Sequence, residues 1–116
     1  MVWLFLLSLY CGFIFYLSHQ PSLPVPMLFQ HQDKLFHAGA YGVLAFIAIN
    51  YFKHQIENAK KAFIISFIFC ALYGMSDEWH QSFIEGRQTD VLDWLADCLG
   101  AFIALVLYKK LKPSLR

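Results

Sequence analysis

Charge is scarce in this chain. Only 15% of its 116 residues are Asp, Glu, Lys or Arg, against about a quarter in a soluble domain. Hydrophobic residues make up 59%. They fall in blocks that reach the ~17–25 residues of a membrane span, which argues against a soluble helical domain. Cysteine is scarce as well. Cys11, Cys70 and Cys98 each sit inside an apolar run, and an odd number without ligand-type spacing argues against a disulfide framework or a cysteine zinc site. HExxH and similar spaced ligand signatures are missing, as are long repeats and low-complexity tracts. No Lys or Arg precedes Lys34. The first apolar run, residues 1–18, therefore lacks the basic start of a secretory signal, and its exit SHQPSLPVP lacks small residues for cleavage. A retained helix is expected there. The net charge of +1 points to no partner by itself, and no nucleic acid is expected as one.

What is present reads as one all-α unit, residues 1–116, forming a polytopic four-transmembrane-helix bundle with helices near 2–18, 34–52, 62–83 and 90–108. Pro21, Pro24 and Pro26 break the chain after the first run, since proline cannot continue a helix. Asp33 opens the second helix, where a carboxylate can cap free N–H groups. Gly39, Ala40, Gly42 and Ala45 are small enough to let a neighbouring helix approach. Asn50 is either a terminal polar residue or a link between helices. KHQIENAKK joins the second and third helices, and EGRQT joins the third and fourth.

Short loops rich in Lys and Arg favour the cytoplasmic side. Lys53, Lys60 and Lys61 lie in one connector and Lys109, Lys110, Lys112 and Arg116 in the tail, whereas the opposite face holds only Lys34 and Arg87. Both termini are therefore expected in the cytoplasm. Seven of the eight acids, all but Glu57, belong to the outer half. With a rise of about 1.5 Å per residue, His37 lies ~6 Å below Asp33 and Asp97 ~10 Å below Asp90. Glu78 is ~25 Å up from Lys61 in a ~30 Å hydrocarbon slab, so three helices bring polar groups to similar depths.

Ionisable side chains are costly in a bilayer and rarely persist there without a partner or a task. Asp90, Asp93 and Asp97 are spaced i, i+3, i+7 and share a helix face. So do Asp33, His37 and Tyr41 at i, i+4, i+8, and Asp77 with Gln81. Glu78 is turned about 100° from Asp77, so the pair straddles an interface. A salt-bridge network alone could hold four helices in register. Yet Lys34 and Arg87 cannot compensate Asp33, Asp77, Glu78, Asp90, Asp93 and Asp97 together. The surplus calls for protonated acids, a bound divalent cation or a cationic ligand. Trp79 and Trp94 read as interfacial anchors.

These residues resemble the VanZ-like family of small bacterial membrane proteins. The matching pieces are D-K-x-x-H at Asp33, Lys34 and His37 with Tyr41 after it, D-E-x-x-Q at Asp77, Glu78 and Gln81, G-R at Gly86 and Arg87, then Asp90 or Asp93, position 97 and Gly100. The likeness covers nearly the whole chain. Glu85 stands where the family commonly has Pro, and Asp97 where it often has Asn; both make this site more acidic. The family takes its name from a protein associated with resistance to teicoplanin, so the resemblance implies a bacterial envelope setting.

The expected function is a binding or enzyme-like site for a lipid-linked or amphiphilic substrate at the extracytoplasmic face of the inner membrane. Arg87 and Lys34 would hold a phosphate or carboxylate. Asp77, Glu78 and His37 would do proton or cation work, with Gln81, Tyr41, Asp33, Asp90, Asp93 and Asp97 completing the pocket. Two alternatives stand beside it: a proton- or cation-coupled carrier, which would have to act as a homo-oligomer, and a structural partner of another envelope protein.

Overall fold

The computed structural model describes residues 1–20, 28, 32–85 and 90–111. They form α1 (Val2–His19), α2 (Gln32–Gln55), α3 (Ala59–Gln81) and α4 (Val91–Leu111), with no strand among the described residues. All four helices are long and apolar enough to cross a membrane. Large apolar side chains such as Phe5, Leu72 and Leu99 face outward, each more than half exposed. Small and polar residues turn inward. The buried positions of α3 are Ala62, Ser66, Cys70, Gly74, Asp77 and Gln81, a single helical stripe with no large aliphatic residue. Such a distribution suits lipid outside, where apolar surface carries no penalty and small residues allow close packing.

The closest helix pair is α2 with α4, and α1 is the most peripheral element. The close approach runs through Gly42 and Ala104 and through Gly100 against the backbone of Ala38. Gly39, expected to serve the same purpose, faces away with nothing within 4 Å of an added Cβ. The buried stripe of α2 runs through Tyr41, Leu44, Ala45, Ala48 and Ile49, and Gly39 sits on the other side of the helix.

Local chemistry sets the helix ends. Asn58 caps α3 by accepting the Lys61 N–H at 3.0 Å, so Lys60 and Lys61 belong to its first turn. After Gln81 the chain tightens, with Phe83 N–H on His80 O and Ile84 N–H on Gln81 O, both 3.1 Å. At the start of α4, Asp90 Oδ1 accepts the Leu92 N–H at 2.9 Å, as an N-cap does. Asp33, expected to cap α2, lies inside its first turn and spends its carboxylate on Lys34 instead.

At the far end of the bundle, Asn50 links helices. Tyr108 OH donates to Asn50 Oδ1 at 2.9 Å and accepts from Lys53 Nζ at 2.7 Å, while Asn50 Nδ2 donates to Phe46 O at 2.8 Å. Three more cross-helix bonds end on backbone carbonyls. Tyr10 donates to Ala40 O at 2.8 Å, Tyr73 to Cys11 O at 2.5 Å and Trp94 Nε1 to Ala71 O at 2.9 Å. Trp94 is therefore a tie between α4 and α3. Trp79 stays exposed, in contact with Phe83.

Candidate functional site

Apart from the Asn50, Lys53 and Tyr108 cluster, most inward polar and charged residues gather at the end of the bundle where α1 and α3 finish and α2 and α4 begin. They form three adjoining groups.

The outermost group centres on Lys34. Its Nζ lies 2.9 Å from Asp33 Oδ2, 3.2 Å from Asp90 Oδ2 and 2.8 Å from Asp93 Oδ1, the last an ion pair outside hydrogen-bond alignment. One ammonium thus ties the first turn of α2 to that of α4. Asp90, just outside the span, has its carboxyl held below the usual range, chiefly by the Leu92 N–H and then by Lys34.

The second group lies deeper, between α2, α3 and α4. His37 Nδ1 is 2.8 Å from Asp97 Oδ1, and His37 Nε2 is 3.9 Å from Asp93 Oδ2. Asp97 is fully buried. Its other oxygen, Oδ2, faces Gly74, where a Cβ would come within 3.0 Å. The missing side chain at position 74 is what makes room for this carboxylate. Glu78 lies one turn after Gly74 on the same face of α3. Its Oε2 accepts the Asp90 N–H at 3.3 Å. Glu78 Oε1 and Asp97 Oδ2 are buried with no hydrogen-bond partner among the described residues.

The third group faces α1. Asp77 Oδ1 accepts from the Ser18 hydroxyl, and Oδ2 from Tyr41 OH at 3.4 Å. Asp77 and Glu78 therefore look to different sides of α3, about 100° apart. Ser18, His37, Tyr41, Asp77 and Gln81 form the polar lining of a cavity of about 80 Å³ completed by apolar residues of α1 and α2. His37 belongs to both the second and third groups and connects them.

Ten of the eleven residues singled out in the sequence lie in these groups. Arg87 lies outside the described residues, together with Gly86, Gln88 and Thr89. Ser18 and Gly74 carried no sequence signal of their own. A lone serine at the end of an apolar helix and a glycine in mid-span acquire meaning only through Asp77 and Asp97 on other turns. His19 and His80, both in the acidic half of the chain, meet across α1 and α3, a pairing that neither position signals alone. Their rings stack beside Phe15, with His19 Nδ1 3.2 Å from His80 Nε2.

Fold and site together define a four-helix membrane protein with an acidic polar end built largely on α2, α3 and α4. The chain belongs to the VanZ/LLP1 family, whose model matches residues 2–112. It is also similar to the uncharacterized protein C11E3.10 of Schizosaccharomyces pombe, 30% identical over 93 residues. That match covers 79% of this chain and 53% of the yeast protein, so the chain spans about half the length of this relative. No solved structure matches the chain.

Proposed function

We propose that the chain binds the polar part of a lipid-linked or amphiphilic envelope substrate at its acidic end, in a bacterial cytoplasmic membrane with both termini cytoplasmic. The cavity beside Asp77 carries this reading. At about 80 Å³ it holds a small polar group rather than a whole head group. It lies between helices whose outer faces are apolar, so a bound molecule would be polar at one end and hydrocarbon at the other. Asp77, Tyr41 and Gln81 offer acceptors and donors inside it, and His37 stands ready to exchange a proton.

Lys34 already meets three carboxylates, which leaves holding an anionic group to Arg87. The orientation rests on Lys53, Lys60, Lys61, Lys109 and Lys110, all at the end of the helices opposite the three acidic groups, since Lys and Arg favour the cytoplasmic side. A link to glycopeptide (teicoplanin) resistance is the cellular consequence this reading would carry if the substrate is an envelope precursor. The carrier reading draws on the same acidic surplus and predicts cation flux in liposomes, which a binding site does not.

Lipid-resolved mass spectrometry of the detergent-purified protein tests the proposal. The parent should retain an amphiphile that Asp77→Asn loses at unchanged helicity. Identical lipid content in the two would sink it.

A further inference from the structure

Two carboxylate oxygens in a membrane interior without hydrogen-bond partners are expensive, because charge taken out of water must be offset by a partner. Glu78 Oε1 and Asp97 Oδ2 are in that position. Lys34 does not answer them, being engaged with Asp33, Asp90 and Asp93. Among the described residues His37 is the basic neighbour left to them, and ligand atoms from His37, Glu78 and Asp97 all lie within 4.8 Å of one another.

We propose that these three residues bind one divalent transition-metal ion of the Zn²⁺ or Mn²⁺ type. One imidazole nitrogen with two carboxylate oxygens suits such ions, whereas Mg²⁺ prefers oxygen alone and keeps most of its water. Bonds of about 2.0–2.2 Å place the ligands of a tetrahedral zinc roughly 3.4 Å apart. His37 Nδ1 and Asp97 Oδ1 share a hydrogen bond at 2.8 Å, so binding the ion releases that proton and opens the pair by roughly 0.6 Å, while Glu78 closes on the ion from α3. The supporting contacts also fit. Metal-ligating carboxylates are usually steadied by a further hydrogen bond, and Glu78 has one on its other oxygen from the Asp90 N–H. Asp93 Oδ2 lies 3.9 Å from Nε2, beyond a hydrogen bond, and offers the imidazole its charge alone. Gly74 keeps the space beside Asp97 Oδ2 free of a side chain.

The ion lies at the same polar end as the proposed amphiphile site, and the inference rests on that reading for its purpose, not for its geometry. A cation here would let an acidic cavity accept a phosphate or carboxylate oxygen, which the carboxylates alone would repel.

The test uses the full, tag-free chain in detergent, stripped with chelator and dialysed against Zn²⁺ or Mn²⁺ alone. One ion per chain is expected, with a rise in melting temperature. Glu78→Gln, Asp97→Asn and His37→Gln should each weaken binding by about tenfold or more, at least the cost of losing a metal-site supporting group, and abolish that rise. Glu57→Gln, a change in the exposed connector, should bind as the parent does. Helicity and gel-filtration profile identify a variant that has not folded, and the half-buried Glu78 supplies the variant least exposed to that failure. No stoichiometric ion, or an ion held equally by all three variants, would overturn the proposal. Lipid retention without any ion removes the ion alone. An ion bound without Asp77-dependent lipid removes the amphiphile reading alone.

Discussion

Gly100 of α4 meets the backbone of Ala38 of α2 so closely that a single added methyl group would overlap the Ala38 carbonyl. That contact sets the separation of the two helices that carry Lys34 and His37 on one side and Asp93 and Asp97 on the other. Gly100→Ala must push α2 and α4 apart, since backbone on both sides cannot yield. The expected loss is on the order of 1–3 kcal/mol, the usual range for overpacking, read by unfolding in mixed micelles. Gly39→Ala, with open space around it, should be neutral within about 0.5 kcal/mol. Equal behaviour of the two variants would contradict the packing described.

Asp77 is buried and takes hydrogen bonds from Ser18 and Tyr41. Removing a donor to a charged acceptor typically costs about 1.5–3 kcal/mol, so Ser18→Ala should destabilise by that order. The partnership with Asp77 can be isolated by a double-mutant cycle. With Asp77→Asn in the background, the cost of Ser18→Ala should fall; strict additivity would mean that the two residues do not interact.

The cap on α4 should depend on pH. The Asp90 carboxyl is held below its ordinary value by the Leu92 N–H and Lys34. A group depressed in the folded state stabilises above its unfolded pKa of about 3.9 and loses that contribution as pH falls through the folded value. The melting-temperature gap between the parent and Asp90→Ala should therefore be constant from neutral pH to about 4 and close below it. A gap that stays constant down to pH ~2, below the usual carboxylate range, would show that the charge of Asp90 plays no part.

Much of the architecture was legible in the sequence, because it rests on period and length. Four apolar runs gave four spans, and the 100° step between Asp77 and Glu78 placed them on different sides of α3. The i, i+4, i+8 spacing of Asp33, His37 and Tyr41 likewise put them on a common face. The details that depend on pairing between helices were not legible. Nothing within α2 indicates that Lys34 meets three carboxylates at once, two of them from the start of α4. Nothing within α3 indicates that Gly74 makes room for Asp97. Gly39 and Gly42 look alike in sequence, and only the side of α2 on which each falls separates a packing residue from an exposed one. Asn50 is ambiguous in sequence for the same reason, because its partner Tyr108 lies on α4.

The central claim is that the acidic end, beside Asp77, receives the polar part of an amphiphile. Photo-cross-linking in native membranes tests it most directly. A photoreactive residue replaces Phe36, which lines the cavity next to His37, or Phe63, which lines a cavity of about 520 Å³ with Lys60 and Lys109 at the opposite end. A distinct lipid-linked or amphiphilic adduct is expected at position 36, absent at position 63 and lost when Asp77→Asn is added. The same bulk lipids at both positions, unchanged by Asp77→Asn, would contradict it.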